Sequence, residues 1–87
     1  MDISFSDKAF AEYIKWQGED KKTLKKINQL IQSIVRDGMM DGIGHPEILR
    51  HSKNYSRKIN EKDRLVYYGE DGINLKIVSC KGHYEDK

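Results

Sequence analysis

Cysteine, proline and tryptophan each occur once in 87 residues. With Cys80 alone, no intramolecular disulfide can form, and the disulfide framework of a small secreted domain is excluded. The single proline, Pro46, leaves the segments on either side free to form regular structure. No run of eighteen apolar residues occurs, so no membrane-spanning helix is expected. The opening Met1-Asp2-Ile3-Ser4-Phe5-Ser6-Asp7 has neither the basic start nor the apolar stretch of a signal peptide, which points to the cytoplasm. A strong charge of one sign is also missing: sixteen Lys and Arg against fourteen Asp and Glu leave only +2, which by itself names no partner. Cys80-x-x-His83 has no second closely spaced Cys/His pair to complete a zinc site, so neither metal nor other cofactor is expected.

What is present is organised by position. A hydrophobic fraction of 37% against 34% charged residues is lean but globular, and the length suits one domain over residues 1–87. Lys21, Lys22, Lys25, Lys26 and Arg36 make residues 21–36 purely basic, whereas 37–49 carry acids and no Lys or Arg. A second basic block, Arg50 to Arg64, contains Lys53, Arg57, Lys58 and Lys62 together with His51 and Tyr55. Lysines on a helix usually serve only to keep that face in water. Bases mixed with an aromatic, by contrast, suit phosphate contact and base stacking.

Hydrophobic spacing gives the elements. Ile3 and Phe5 alternate as a short strand, and Ser6 can cap a helix carrying Ala9, Phe10, Tyr13, Ile14 and Gln17, with Gly18 as its break. Asp20 can cap a longer helix whose stripe Leu24, Ile27, Leu30, Ile31, Ile34 and Val35 ends at Gly38. Residues 38–46 hold three glycines and the proline and read as a loop, with His45 pushed to an extended backbone by Pro46. The period then changes to two over 47–51, 55–60, 64–69 and 73–81, with a polar turn at 60–63 and a hairpin signal at Asp71-Gly72. Alternation puts Ser56 and Lys58 on one strand face and Tyr55, Arg57 and Ile59 on the other, and sets Arg64, Val66 and Tyr68 opposite Leu65 and Tyr67. The expected architecture is α+β: two N-terminal helices packed on a curved antiparallel sheet, with the other face polar, basic and open. Tyr13 and Trp16 suit a core or an interface, Trp16 being a candidate dimer contact.

Six segments in order, Tyr13-x-x-Trp16-Gln17, Lys25-Lys26-Ile27-Asn28-x-Leu30-Ile31, Gly44-x-Pro46-Glu47-x-Leu49, Tyr55-Ser56-Arg57-x-Ile59, Arg64-Leu65-Val66-Tyr67 and His83-Tyr84, resemble the YoeB/Txe toxins within the RelE group of bacterial toxin–antitoxin systems. The resemblance implies a RelE-like, microbial-ribonuclease-type fold. It implies a ribosome-dependent messenger-RNA endonuclease that inhibits translation, is neutralised by a YefM-like antitoxin and is often found as a homodimer. By position it makes Glu47, Arg64 and His83 catalytic and assigns Arg50, Arg57, Lys58 and Tyr84 to RNA. The family's usual Ser-Arg-Arg is Ser56-Arg57-Lys58 here, which loses one planar phosphate-gripping fork, and Glu85-Asp86-Lys87 extends past the family's habitual end.

Metal-free RNA cleavage needs a base for the 2′-hydroxyl, an acid for the leaving 5′-oxygen and a cation at the phosphorane, and Glu47, His83 and Arg64 supply one of each. Taken singly, each has a plainer reading: Glu47 a loop-end charge, His83 a surface residue near a terminus, Arg64 a cross-strand ion-pair partner. Lys21, Lys22, Lys25 and Lys26 are then a ribosome-docking surface or merely a solvated face. The competing function is a non-catalytic module that binds ribosomal RNA and blocks translation; a pure binder has no need of an acid and a base flanking one arginine.

Overall fold

A computed structural model describes residues 1–70 and 74–82. The elements run β1 (Asp2–Phe5), α1 (Asp7–Glu19), α2 (Lys21–Asp37), β2 (Glu47–Ile48), β3 (Tyr55–Lys58), β4 (Arg64–Glu70) and β5 (Asn74–Ser79). The expected helices form, and their ends follow from side-chain chemistry. Ser6 Oγ accepts the Ala9 N–H at 3.0 Å and Asp20 Oδ1 accepts the Thr23 N–H at 3.0 Å, each satisfying a donor that a helix start leaves unpaired. Gly18 does not break α1, which continues to Glu19; glycine costs a helix roughly 1 kcal/mol, too little to end one that is packed elsewhere. The break comes at Asp20, whose extended backbone closes α1 and opens α2. Gly38, at φ 106°, ends α2 where the sequence places the stop.

Among the described residues, five strands lie in the order β1-β5-β4-β3-β2. β2, β3, β4 and β5 are antiparallel in series, and β1 joins the edge parallel to β5, so the sheet is mixed. β1 and β5 can run parallel because both helices and three strands intervene in the chain. A one-residue register shift at Val66/Tyr67 bulges the β4–β5 pair, a device that bends and twists a sheet. β2 is only two residues long, shorter than the 47–51 expected, since Leu49 N–H turns to the carbonyl of Asn54. The turn at 60–63 forms as expected, with Asn60 Oδ1 accepting from both Lys62 and Asp63 N–H. Asp71-Gly72 and Ile73 lie outside the described residues.

The helices cover one sheet face. Ile27, Leu30, Ile31 and Ile34 of α2 meet Leu65, Tyr67, Leu75 and Ile77 in one core, joined by Ala9, Trp16, Ile59 and Cys80. α1 is fastened to the end of β5. Ser6 Oγ donates to the Val78 carbonyl at 2.7 Å, Trp16 Nε1 donates to the Cys80 carbonyl at 2.9 Å, and Glu12 accepts the Cys80 N–H at 2.8 Å. Trp16 is therefore a core residue, only 8% exposed, and not the outward dimer contact that its place near a helix end suggested. Cys80 is buried as expected, and burial pushes its thiol up to about 12, so it stays protonated and unreactive. No helix among the described residues is long and apolar enough to cross a membrane.

The phase of α2 makes a sharp contrast between neighbours, because Ile34 is fully buried while Val35 is 42% exposed. Ile34→Ala should cost about 2–5 kcal/mol and Val35→Ala about 0.5 or less, measured by urea denaturation.

Candidate functional site

Alternation along the strands builds the site on the sheet face away from the helices. β3 turns Tyr55 and Arg57 toward the helices and Ser56 and Lys58 away, while β4 turns Leu65 and Tyr67 inward and Arg64 outward. Register then sets neighbours: Glu47 pairs with Ser56, and Lys58 pairs with Arg64. Directly opposed residues on one face of an antiparallel pair stand about 4.5–5.5 Å apart at Cβ. An open cavity of about 320 Å³ results, lined by His45, Glu47, Ser56, Lys58 and Arg64. Ser56 is nearly buried at its floor, and His45 and Glu47 are exposed at its rim.

Each charged group is held differently. Arg64 Nη1 donates to the carbonyls of Asn60 at 2.7 Å and Asp63 at 3.1 Å, which fixes one edge of the guanidinium. Lys58 Nζ sits 2.9 Å from Glu61 Oε1, an exposed i,i+3 pair. The hydrogen bond and charge of Lys58 hold the Glu61 carboxyl below the usual range, so a phosphate must compete with it for the ammonium. Asp63 ties in the following chain: its Oδ1 accepts the Gly82 N–H at 2.7 Å, and the Gly82 carbonyl accepts the Arg64 N–H at 3.0 Å. The covalent neighbour of residue 83 is thus bonded to the backbone of Arg64. His83, Tyr84 and the 85–87 extension themselves lie outside the described residues.

The other basic residues do not join the cavity. Arg50 is exposed beyond β2 and is not among the residues that line it. Lys21, Lys22, Lys25 and Lys26 lie on the first turns of α2, on the helical side of the sheet, with Lys26 half-buried and the others exposed.

Arg57, expected to contact RNA, requires correction. Its side chain is fully buried on the core side and its five N–H groups are all occupied. Nε donates to Tyr67 Oη at 2.8 Å. Nη1 donates to Ser33 Oγ and the Ile43 carbonyl, and Nη2 to the carbonyls of Gly38, Met39 and Asp41. Alternation in β3 implied the inward direction, but a charged side chain is rarely fully buried unless its donors are satisfied, and the satisfying carbonyls belong to a loop remote in sequence. Ser33 passes a hydrogen bond on to Asp37, whose carboxyl is held low by Arg36 first, then Ser33, with the Arg57 charge adding to both.

His45 and Ser56 are the lining residues to which sequence reasoning gave no role. Ser56 was legible as the neighbour of Lys58 on the open face. His45 was expected to be extended; its φ is +51°, the left-handed side, which costs a non-glycine residue of order 1–3 kcal/mol. The signal available was a histidine two residues before Glu47, between a glycine and a proline.

Arg57→Gln should leave several loop carbonyls without donors, at about 1–3 kcal/mol for each buried group. A loss on the order of 3 kcal/mol or more is expected in urea denaturation, with new protease cleavage within residues 38–44, whereas Arg50→Ala should change stability by less than about 0.5 kcal/mol.

Comparison with known proteins places this arrangement. Residues 5–84 match the family model described as the YoeB-like toxin of bacterial type II toxin–antitoxin systems. Toxin YoeB of Synechocystis sp. is 45% identical over 87 residues, covering 98% of this chain and 99% of that one. Among solved structures, the YoeB dimer of Staphylococcus aureus superimposes with a TM-score of 0.90 at 49% identity, over 97% of this chain and 98% of that one. The toxin in the heterotetrameric YoeB–YefM toxin–antitoxin complex of the same organism gives 0.88 at 49% identity, over the same shares. With both helices, strands β2 to β5, the cavity and Gly82 all inside the matched span, the chain belongs to the YoeB-like toxins of bacterial type II toxin–antitoxin systems.

Proposed function

We propose that this toxin is a ribosome-dependent endoribonuclease that cuts translated messenger RNA without a metal. The observation that carries the reading is one open cavity with a carboxylate, Glu47, facing two cations, Lys58 and Arg64, on a sheet face that the helices leave uncovered. Glu47 takes the 2′-hydroxyl proton as that oxygen attacks the adjacent phosphorus. The guanidinium of Arg64 stabilises the charge of the phosphorane, and His83 gives a proton to the departing 5′-oxygen, leaving a 2′,3′-cyclic phosphate and a 5′-hydroxyl. The hydrogen bond that the Arg64 N–H donates to the Gly82 carbonyl supports the role of His83, because Gly82 is its covalent neighbour in the chain. Lys58 with Arg50 and Tyr84 holds flanking nucleotides by charge and stacking.

The site lacks the strong basic surround with which a free-RNA nuclease grips its substrate, since the whole chain carries only +2. The ribosome is therefore the source of orientation, presenting one codon with its 2′-hydroxyl already in line. Lys21, Lys22 and Lys25, exposed on α2, serve docking together with Lys26. In the cytoplasm the toxin is silenced by a YefM-like antitoxin, an acidic and partly disordered segment that folds over the cavity face and neutralises Lys58, Arg64 or Arg50. The complex known for the Staphylococcus aureus relative supports this partner, and the dimer of that relative supports self-association.

The test is cleavage of one short message with and without programmed ribosomes. Cutting only with ribosomes is expected, unaffected by a chelator once ribosomal magnesium is controlled. Glu47→Gln and Arg64→Ala should each lower the rate roughly 10²–10⁴-fold while remaining folded and bound by the antitoxin. Equal cutting of free RNA would defeat ribosome dependence, and arrested translation with intact message would favour the non-catalytic binder.

A further inference from the structure

His45 enters the cavity from a backbone with little freedom. The carbonyl before it, on Gly44, accepts the Lys58 N–H at 2.7 Å, and a Cβ on Gly44 would come within 2.5 Å of Leu30 Cδ2, so the chain is wedged between β3 and α2. After it, Pro46 fixes the next φ. Between these restraints His45 adopts φ +51°, a conformation disfavoured for most side chains and poorer still before proline. Such strain gathers where surrounding structure aims a side chain for a purpose. The imidazole is exposed at the rim of the cavity whose floor is Ser56. Facing it are Glu47 from β2, Lys58 from β3 with its partner Glu61, and Arg64 from β4.

Two cations and an imidazole around one opening form a surface for phosphate, and contacts to phosphate oxygens position a nucleic acid without reading its bases. We infer that His45 is a substrate-contacting residue whose ring N–H donates to a phosphate oxygen of the RNA and contributes to affinity, not to bond breaking. The inference rests on the ribonuclease reading above.

The test compares the toxin with His45→Asn and His45→Gly on ribosomes programmed with a short message. Asparagine tolerates positive φ and glycine relaxes it, so the loop is kept while the imidazole is lost. Both variants should raise KM about tenfold with kcat within about twofold, as expected for the loss of one hydrogen bond to a charged group. Far-ultraviolet circular dichroism should match that of the parent in both variants, and the thermal midpoint should be no lower than the parent's, rising in His45→Gly if relief of the positive φ outweighs the entropy of the glycine. An unchanged KM in His45→Asn would overturn the inference, as would a hundredfold fall in kcat at constant KM. If the parent toxin itself leaves the message intact, the ribonuclease reading fails and this inference with it; if the parent cuts and the variants cut identically, only this inference fails.

Discussion

The structure depends on a buried arginine whose five donors are all taken. Arg57 reaches through the sheet side of the core and binds carbonyls at residues 38, 39, 41 and 43, together with Ser33 on α2 and Tyr67 on β4. A loop with three glycines and a proline has no hydrogen-bond ladder of its own, so its backbone must be satisfied from elsewhere. Arg57 does this while tying the end of α2 to β3 and β4. Tyr67 completes the arrangement, its hydroxyl donating to the Met39 carbonyl at 2.6 Å and its ring stacking on Tyr55. The close packing leaves no room at Gly42, where a Cβ would lie 2.6 Å from Asp37 Oδ2 and 3.2 Å from Arg57 Nη1.

Loop order matters because the loop delivers the site. From Gly44 the chain passes directly to His45, Pro46 and Glu47, so the carboxylate at the cavity rim is placed by what holds residues 38–44. The opposite wall is placed independently, by Asn60 and Asp63 fixing Arg64 and by Asp63 binding Gly82. β3 lies between them and contributes to both: Arg57 on its inner face restrains the loop, and Lys58 on its outer face lines the cavity. Adjacent basic residues thus do opposite things, one holding the loop and one lining the open cavity, because side chains along a strand alternate.

That alternation is legible in the order of residues alone, and so are the helix caps at Ser6 and Asp20, the stop at Gly38, the antiparallel order of β3, β4 and β5, and the grouping of Ser56, Lys58 and Arg64 on one face. These depend on local chemistry and on a period of two or 3.6, which sequence records directly. The first helix runs through Gly18 because packing of Trp16 against Cys80 outweighs a modest propensity cost. Trp16 turns inward for the same reason.

The order of residues carries which elements form, which faces are apolar and, through six ordered segments, the family to which the chain belongs. It took the folded chain to show that β1 runs parallel to β5, that Arg57 is satisfied by a loop fourteen to nineteen residues away, and that His45 sits at positive φ on the cavity rim. The physical reason is common to all three. Each is fixed by partners distant in the chain, a strand more than seventy residues on, a set of backbone carbonyls, a wedge between β3 and α2, and no local pattern of residue types encodes a partner of that kind.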